Sequence, residues 1–298
     1  MSLRFAIVGF GVVGKSMKSL LPDAVVYDTA PGMPHDRHEV NQCDITFVCV
    51  PTPPALDGSC DISIVGDSVE WIETPIIVIR STVPPGTTKR LGRKYNKRIV
   101  FNPEYLGETP WHPYRDAKNI PFTILGGTKK DTVEVAEVYG QICGPSVRIY
   151  FTDSTTAELA KYMSNCFFAT KVVFCNEFYH IAKAFGVEYH ELREIWLADP
   201  RIPRNHTLVF GSSPGFGGKC LPKDLSALIS AAEKAGHDSD FLRMVKQLNE
   251  QFRGGDYSAL VQEPWAAEAS FDPYQHIKIR EDVAANKEKK RVQSEKVE

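Results

Sequence analysis

Short apolar runs separated by polar stretches of helical length dominate the first half of the chain. Leu3–Val8, Ala24–Tyr27, Asp44–Val50, Pro75–Arg80, Arg98–Phe101, Pro121–Leu125 and Val147–Tyr150 read as strands. Between them, Lys15–Leu21, Thr87–Tyr95 and Lys130–Cys143 carry helical spacing. Strands that alternate with helices are covered on both faces, so residues 1–152 predict a doubly wound α/β domain with a parallel sheet. After Thr152 the period changes. Thr155–Phe185 contains neither Pro nor Gly, and its apolar positions recur every three or four residues, which predicts one long helix ended by Gly186. Further helices are predicted at His190–Leu197, Lys223–Ala235 and Asp240–Phe252, making residues 153–253 an all-helical second domain. Gly254-Gly255 breaks the pattern, and residues 254–298 read as an extension, helical or disordered, with Lys, Arg and Glu dense towards its end.

Composition narrows the function classes. The chain has 298 residues, a formal net charge of -2, 43% hydrophobic and 24% charged residues. At roughly 100–200 residues per domain, two domains are expected. The near-neutral balance argues against nucleic acid as a partner, and no run is apolar and long enough to span a bilayer. No signal-peptide pattern precedes the first strand. The seven cysteines are scattered without a CxxC pair, so free thiols in a reducing cytoplasm are expected. The histidines show no ligand spacing, and no metal is expected.

Gly9-Phe10-Gly11-Val12-Val13-Gly14 follows the first strand and opens a helix, and Asp28 ends the next strand. In that context GxGxxG predicts a dinucleotide site. The glycines permit a tight turn and close approach of a pyrophosphate, and the helix N-terminus stabilises its charge. Asp28 would accept hydrogen bonds from a ribose diol and repel a 2′-phosphate, which favours NAD over NADP. Val50-Pro51-Thr52-Pro53 and Ser81-Thr82-Val83-Pro84-Pro85-Gly86 interrupt apolar runs at the carboxyl edge of the predicted sheet, where ligands bind in such folds.

A second constellation is Gly215-Phe216-Gly217-Gly218-Lys219-Cys220-Leu221-Pro222-Lys223-Asp224. It presents Cys220 on a glycine-rich turn at the start of a predicted helix, with Lys219 and Lys223 close by. The helix N-terminus and the cations favour a thiolate, and a thiolate is a nucleophile. Taken alone, the cysteine reads first as packing after a flexible loop. Cys166, Cys175, Phe167, Phe168, Phe174 and Phe178 fall on the long predicted helix and read as its packing face.

These motifs, together with Phe101-Asn102-Pro103-Glu104-Tyr105-Leu106-Gly107-Glu108, Ala157–Asn165 and Asp199–Ile202, occur in an order that resembles the nucleotide-sugar dehydrogenases, the UDP-glucose and GDP-mannose 6-dehydrogenases. The resemblance covers residues 1 to about 252. It implies a Rossmann-like doubly wound parallel sheet followed by an all-helical domain of the 6-phosphogluconate-dehydrogenase type. It implies oxidation of the sugar C6 alcohol to a carboxylate with two NAD+. By resemblance Cys220 captures the intermediate aldehyde as a thiohemiacetal, which is oxidised to a thioester and hydrolysed. Lys161 and Asn165, four residues apart on one helix face, would stabilise developing oxyanions, and Glu104 would be the general base for water. Thr82 and Asp224 would order polar groups around the thiol. Gly9, Gly11, Val12, Val13, Gly14, Asp28, Val50, Pro51, Thr52, Ser81, Thr82 and Glu108 would line the NAD site. Glu104, Tyr105, Leu106, Lys161, Asn165, Gly217 and Lys223 would line the substrate site, with Arg201 reaching a neighbouring subunit's substrate. The implied assembly is a homodimer through the 155–185 helix.

Members of that family continue into a third, nucleotide-binding domain, whereas Gly254-Gly255 is followed by no further strand–helix array. The sequence therefore reads as a short form, and the stretch from Arg201 to Gly215 reads as longer than usual, with Pro203 where a glycine is common. Two other readings remain open. One is a two-electron dehydrogenase of the β-hydroxyacid type. The other is a non-catalytic protein that binds NAD or a sugar nucleotide.

Overall fold

The computed structural model describes residues 3–107, 112, 114, 116–144 and 147–254. Seven strands form one sheet: β1 (Phe5–Val8), β2 (Val25–Tyr27), β3 (Ile45–Val48), β4 (Ile76–Ile79), β5 (Ile99–Phe101), β6 (Phe122–Gly126) and β7 (Arg148–Thr152). Their order is β2-β1-β3-β4-β5-β6-β7. The chain leaves β1 for β2 on one side and returns to β3 on the other, so the topological switch point lies between β1 and β3. Strands β3, β4 and β5 are buried at every position, as expected of strands covered on both faces.

The sheet departs from the all-parallel expectation at one edge. β6 pairs antiparallel with β5, and β7 runs parallel to β6, so the last two strands oppose the first five. Helices α1 (Val12–Leu20) and α5 (Lys129–Cys143) cover one face. Helices α2 (Arg37–Asn41), α3 (Ser63–Trp71) and α4 (Thr87–Tyr95) cover the other. The sequence pattern did not show α2 or α3. α2 is five residues long, too short to display a period, and exists because Asp36 caps it by accepting from the amides of His38 and Glu39.

The second layer begins at Asp153, whose carboxylate accepts from the amides of Thr155 and Thr156 and starts α6 (Ser154–Ala184), 31 residues long. α7 (Tyr189–Trp196), α8 (Leu221–Lys234) and α9 (Asp240–Gly254) follow. α6, α8 and α9 share a core of Ala169, Val172, Val173, Phe216, Leu225, Ile229, Val245 and Phe252. Cys166 and Cys175 are buried as expected. The phenylalanines are a correction: Phe167, Phe174 and Phe178 are 55%, 46% and 40% exposed and form an outward apolar face rather than core. No described helix is long and apolar enough to cross a membrane.

Candidate active site

The glycine motif divides its three glycines between packing and access. Gly9 has φ +92°, and a Cβ there would lie 2.8 Å from the backbone of Cys49. A Cβ on Gly14 would lie 2.0 Å from the Gly9 carbonyl oxygen, so both positions are closed by the chain itself. A Cβ on Gly11 would meet nothing within 4 Å. Gly11 is also the N-cap of α1, with no side chain bonded to the first turn and no acidic residue in it. The arrangement leaves bare amides facing open space beside the switch point, which fits a dinucleotide pyrophosphate. Asp28 follows β2 and accepts from the Phe10 amide at 2.5 Å and the Ala30 amide at 2.8 Å. It therefore also fixes the shape of the glycine turn, while its carboxylate retains acceptor sites for a ribose. Val12 is exposed and Val13 half-buried against the sheet. Ser81 is buried and donates to the Val50 carbonyl at 2.6 Å, joining the two proline-containing loops at the ends of β3 and β4. Pro51 is exposed on the first of these loops and Thr52 buried within it.

Cys220 is the N-cap residue of α8 and is exposed, with Leu221-Pro222 opening the helix. The residues expected around it converge. Lys161 Nζ lies 3.5 Å from Asn165 Oδ1, and Asn165 Nδ2 donates to Asp224 Oδ2 at 2.5 Å. Asp224 is buried, and its other oxygen accepts from Lys223 Nζ at 2.5 Å. Lys223 Nζ also reaches Thr52 Oγ1 at 3.5 Å, so the helix that bears the thiol is tied to the carboxyl edge of the sheet. Cys60, near Thr52 and Tyr162, donates to the Thr82 carbonyl at 3.8 Å and brings the second loop to the same place. Burial lowers the Lys161 pKa, while Asp224, Glu104 and Cys220 are near enough to oppose that shift. The Lys161 ammonium also sits over the Tyr105 ring, 4.8 Å from its centroid.

Glu104 is buried after β5 and fully engaged on one oxygen, which accepts from the Tyr105 amide at 2.7 Å and the Leu106 amide at 2.8 Å. The other oxygen is ion-paired with buried Arg80. Arg80 also donates to Asn102 and to the Tyr139 hydroxyl, and Asn102 donates to Thr123 Oγ1 at 2.8 Å. This network was not anticipated. Its signal in the sequence was an arginine closing the otherwise apolar strand Ile76–Ile79.

The glycine turn before Cys220 is held by two asparagines that sequence reasoning also missed. Asn249 on α9 accepts from the Phe216 amide at 2.6 Å and donates to the Phe216 carbonyl at 3.1 Å. Asn176 on α6 accepts from the Gly215 amide at 3.0 Å. A Cβ on Gly217 would lie 3.0 Å from the Arg253 guanidinium, so its backbone faces α9. Arg201 does not join the cluster within the chain: its side chain is exposed and forked onto Asp199 at 2.6–3.1 Å. The long segment after it is nonetheless anchored. Lys171 donates to the Pro203 carbonyl, Tyr189 to the Thr207 carbonyl at 2.9 Å, and the His206 ring stacks 4.3 Å from Phe168. Glu108 and the segment after Gly254 lie outside the described residues.

Fold and site together define an NAD-binding α/β protein with a helical second layer that presents a cysteine to the ligand edge of the sheet. Residues 32–143 match the NAD-binding-domain model, and residues 155–251 the central-domain model, of the UDP-glucose/GDP-mannose dehydrogenase family. The chain belongs to that family. A protein of Bacillus subtilis (strain 168) described as putative UDP-glucose 6-dehydrogenase YtcA is 34% identical over 230 residues, 72% of this chain and 52% of that one. The UDP-glucose 6-dehydrogenase of Rickettsia bellii is 29% identical over 264 residues, 80% of this chain and 59% of its own. The solved structure of a UDP-glucose dehydrogenase from Pyrobaculum islandicum superposes with a TM-score of 0.73 at 27% identity, covering 84% of this chain and 68% of that one. The chain spans about half the length of the curated relatives it matches.

Proposed function

We propose that this chain carries the cofactor site and the reactive thiol of an NAD-dependent oxidoreductase that converts the C6 alcohol of a nucleotide sugar to the carboxylate. UDP-glucose is the first substrate to test, because the relatives are named for it. The observation that carries the reading is the unbroken polar path Lys161–Asn165–Asp224–Lys223–Thr52, which runs from the helical layer beside Cys220 to the switch-point edge of the sheet. When bound in the Gly11 cradle, NAD+ supplies the hydride acceptor for each oxidation. The residues of the chain do the rest. Lys161 and Asn165 stabilise the alkoxide left as the hydroxyl proton passes to water, and its electron pair becomes the second C=O bond as hydride leaves the carbon. The Cys220 thiolate bonds to the aldehyde carbon as the C=O π pair moves to oxygen, which takes up a proton to give a thiohemiacetal. Loss of hydride from that carbon and of the proton from its oxygen leaves a thioester that stays reactive towards water. Glu104, braced by Arg80, is the base that takes a proton from that water as its oxygen bonds to the thioester carbon. The C–S bond then breaks and its electron pair returns to Cys220.

The same reading includes a cytoplasmic homodimer. Met163 and Phe167 on α6 are 75% and 55% exposed, and Phe241 on α9 adds a further 64% exposed ring. Leu159, Met163, Phe167, Leu228 and Phe241 help line a groove of about 740 Å³ on this face. A contiguous apolar face of this kind marks a protein contact. A second copy is expected to cover it, leaving the exposed Arg201 to reach across.

A panel of sugar nucleotides with NAD+ tests the activity. Two NADH per sugar, abolished by Cys220→Ser, is the expected result. One NADH per substrate would favour the two-electron reading instead, and no turnover with any sugar nucleotide would reject the proposal.

A further inference from the structure

Glu158 is fully buried on α6, and neither the cofactor cradle nor the thiol cluster uses it. Its carboxylate reaches out of the helical layer to the start of α4. There Oε2 accepts from the Gly86 amide at 2.5 Å and Oε1 from the Thr88 amide at 2.8 Å. α4 has no cap of its own. Its N-cap residue is Gly86, in the left-handed region at φ 85°, without a side chain to turn back on the helix. The first turn is buried at Thr87 and Thr88, so its amides need acceptors from protein. A carboxylate at this end of a helix supplies the acceptors and complements the dipole. It comes from 70 residues further along the chain than Thr88.

The two ends of this clasp adjoin groups placed in the reaction. Gly86 closes the loop that carries Ser81 and Thr82. Glu158 lies on α6 a helical turn before Lys161, with Asn165 a turn further on. Among the described residues, the charged neighbour acting on the carboxylate is Asp153, the N-cap of its own helix; from α4 it meets the two amides and the Thr88 side chain. We propose that Glu158 is a positioning residue that sets the Thr82 loop against Lys161 by capping α4 from α6. The catalytic consequence rests on the dehydrogenase reading above; the clasp itself does not.

Amide hydrogen exchange on the full chain, with turnover normalised to titratable Cys220, tests it. In Glu158→Ala, exchange at the Gly86 and Thr88 amides rises about 10- to 100-fold while β4 stays protected, the size expected for losing one buried hydrogen bond each. Turnover per titratable Cys220 falls about 100-fold, as for an ångström-scale misplacement, while both KM values move less than about threefold. Unchanged exchange at both amides overturns the clasp. Faster exchange with unchanged turnover per site overturns the positioning role, because a merely structural residue lowers the fraction of competent molecules and not their rate. If Glu158→Ala does not fold, Glu158→Gln carries the test. It keeps one acceptor oxygen, so one amide of the two loses protection and per-site turnover falls about tenfold. Protection of both amides with full per-site turnover overturns the proposal. Should the unaltered chain oxidise no sugar nucleotide, the dehydrogenase reading fails, and amide exchange still decides whether the clasp exists.

Discussion

Asn249→Ala isolates what holds the turn before Cys220. The Asn249 amide group makes two hydrogen bonds to one residue, Phe216, through its amide at 2.6 Å and its carbonyl at 3.1 Å. Both residues are buried, Asn249 at 6% and Phe216 at 5% exposure, so water does not replace what alanine removes. Each backbone group left unpaired costs about 1–3 kcal/mol, and partial relaxation of the turn brings the sum to about 3 kcal/mol. Asn249→Asp keeps the acceptor for the Phe216 amide and loses only the donor, so about half of that loss is expected from the hydrogen bonds. Urea denaturation followed by circular dichroism measures the total, and hydrogen exchange at the Phe216 amide reports the local part. A loss below about 0.5 kcal/mol in Asn249→Ala, within the range of an ordinary surface substitution, would refute the reasoning. So would continued protection of the Phe216 amide.

Three more outcomes are expected. Gly14→Ala prevents normal folding of the motif because its Cβ would sit 2.0 Å from the Gly9 carbonyl oxygen, whereas Gly11→Ala folds normally and weakens NAD+ binding in calorimetry. Arg80→Met leaves the buried Glu104 carboxylate without its cation and lowers stability by about 3–5 kcal/mol in chemical denaturation. Burial pushes the Glu158 pKa up to about 7, against the pull of its hydrogen bonds from Thr88 and Gly86. Its folded value therefore lies above the unfolded one. The associated stability is complete below about pH 4.5 and is lost as pH rises through 7, about 3 kcal/mol in all. Glu158→Gln is expected to remove this dependence in melts between pH 5 and 8; a wild type that gains stability over that range contradicts the assignment.

The sequence was informative where the chemistry is local. The turn Gly9–Gly14, the cysteine cap of α8 and the four-residue step from Lys161 to Asn165 are each written within a few positions, and each stands where its pattern placed it. What was hidden depends on partners far apart. Arg80 meets Glu104 and Tyr139, and Phe216 meets Asn249, only after the chain has folded. The reversal of β6 was hidden for another reason, since an apolar run carries no mark of its direction within a sheet. The outward phenylalanines of α6 follow the same helical spacing as core residues, and periodicity alone does not say which apolar face turns inward.

α6 also works as a ruler. Glu158, Lys161, Asn165 and Asn176 reach four different clients: the α4 cap, the Tyr105 ring, Asp224 and the Gly215 amide. Their spacing along one rod fixes where all four clients stand relative to one another. One residue inserted between Glu158 and Asn176 would turn everything after it by about 100° and advance it by about 1.5 Å. Outward side chains along this stretch can be exchanged one at a time, but its length cannot, so insertions and deletions here should be far rarer among functional variants than substitutions on the outward face.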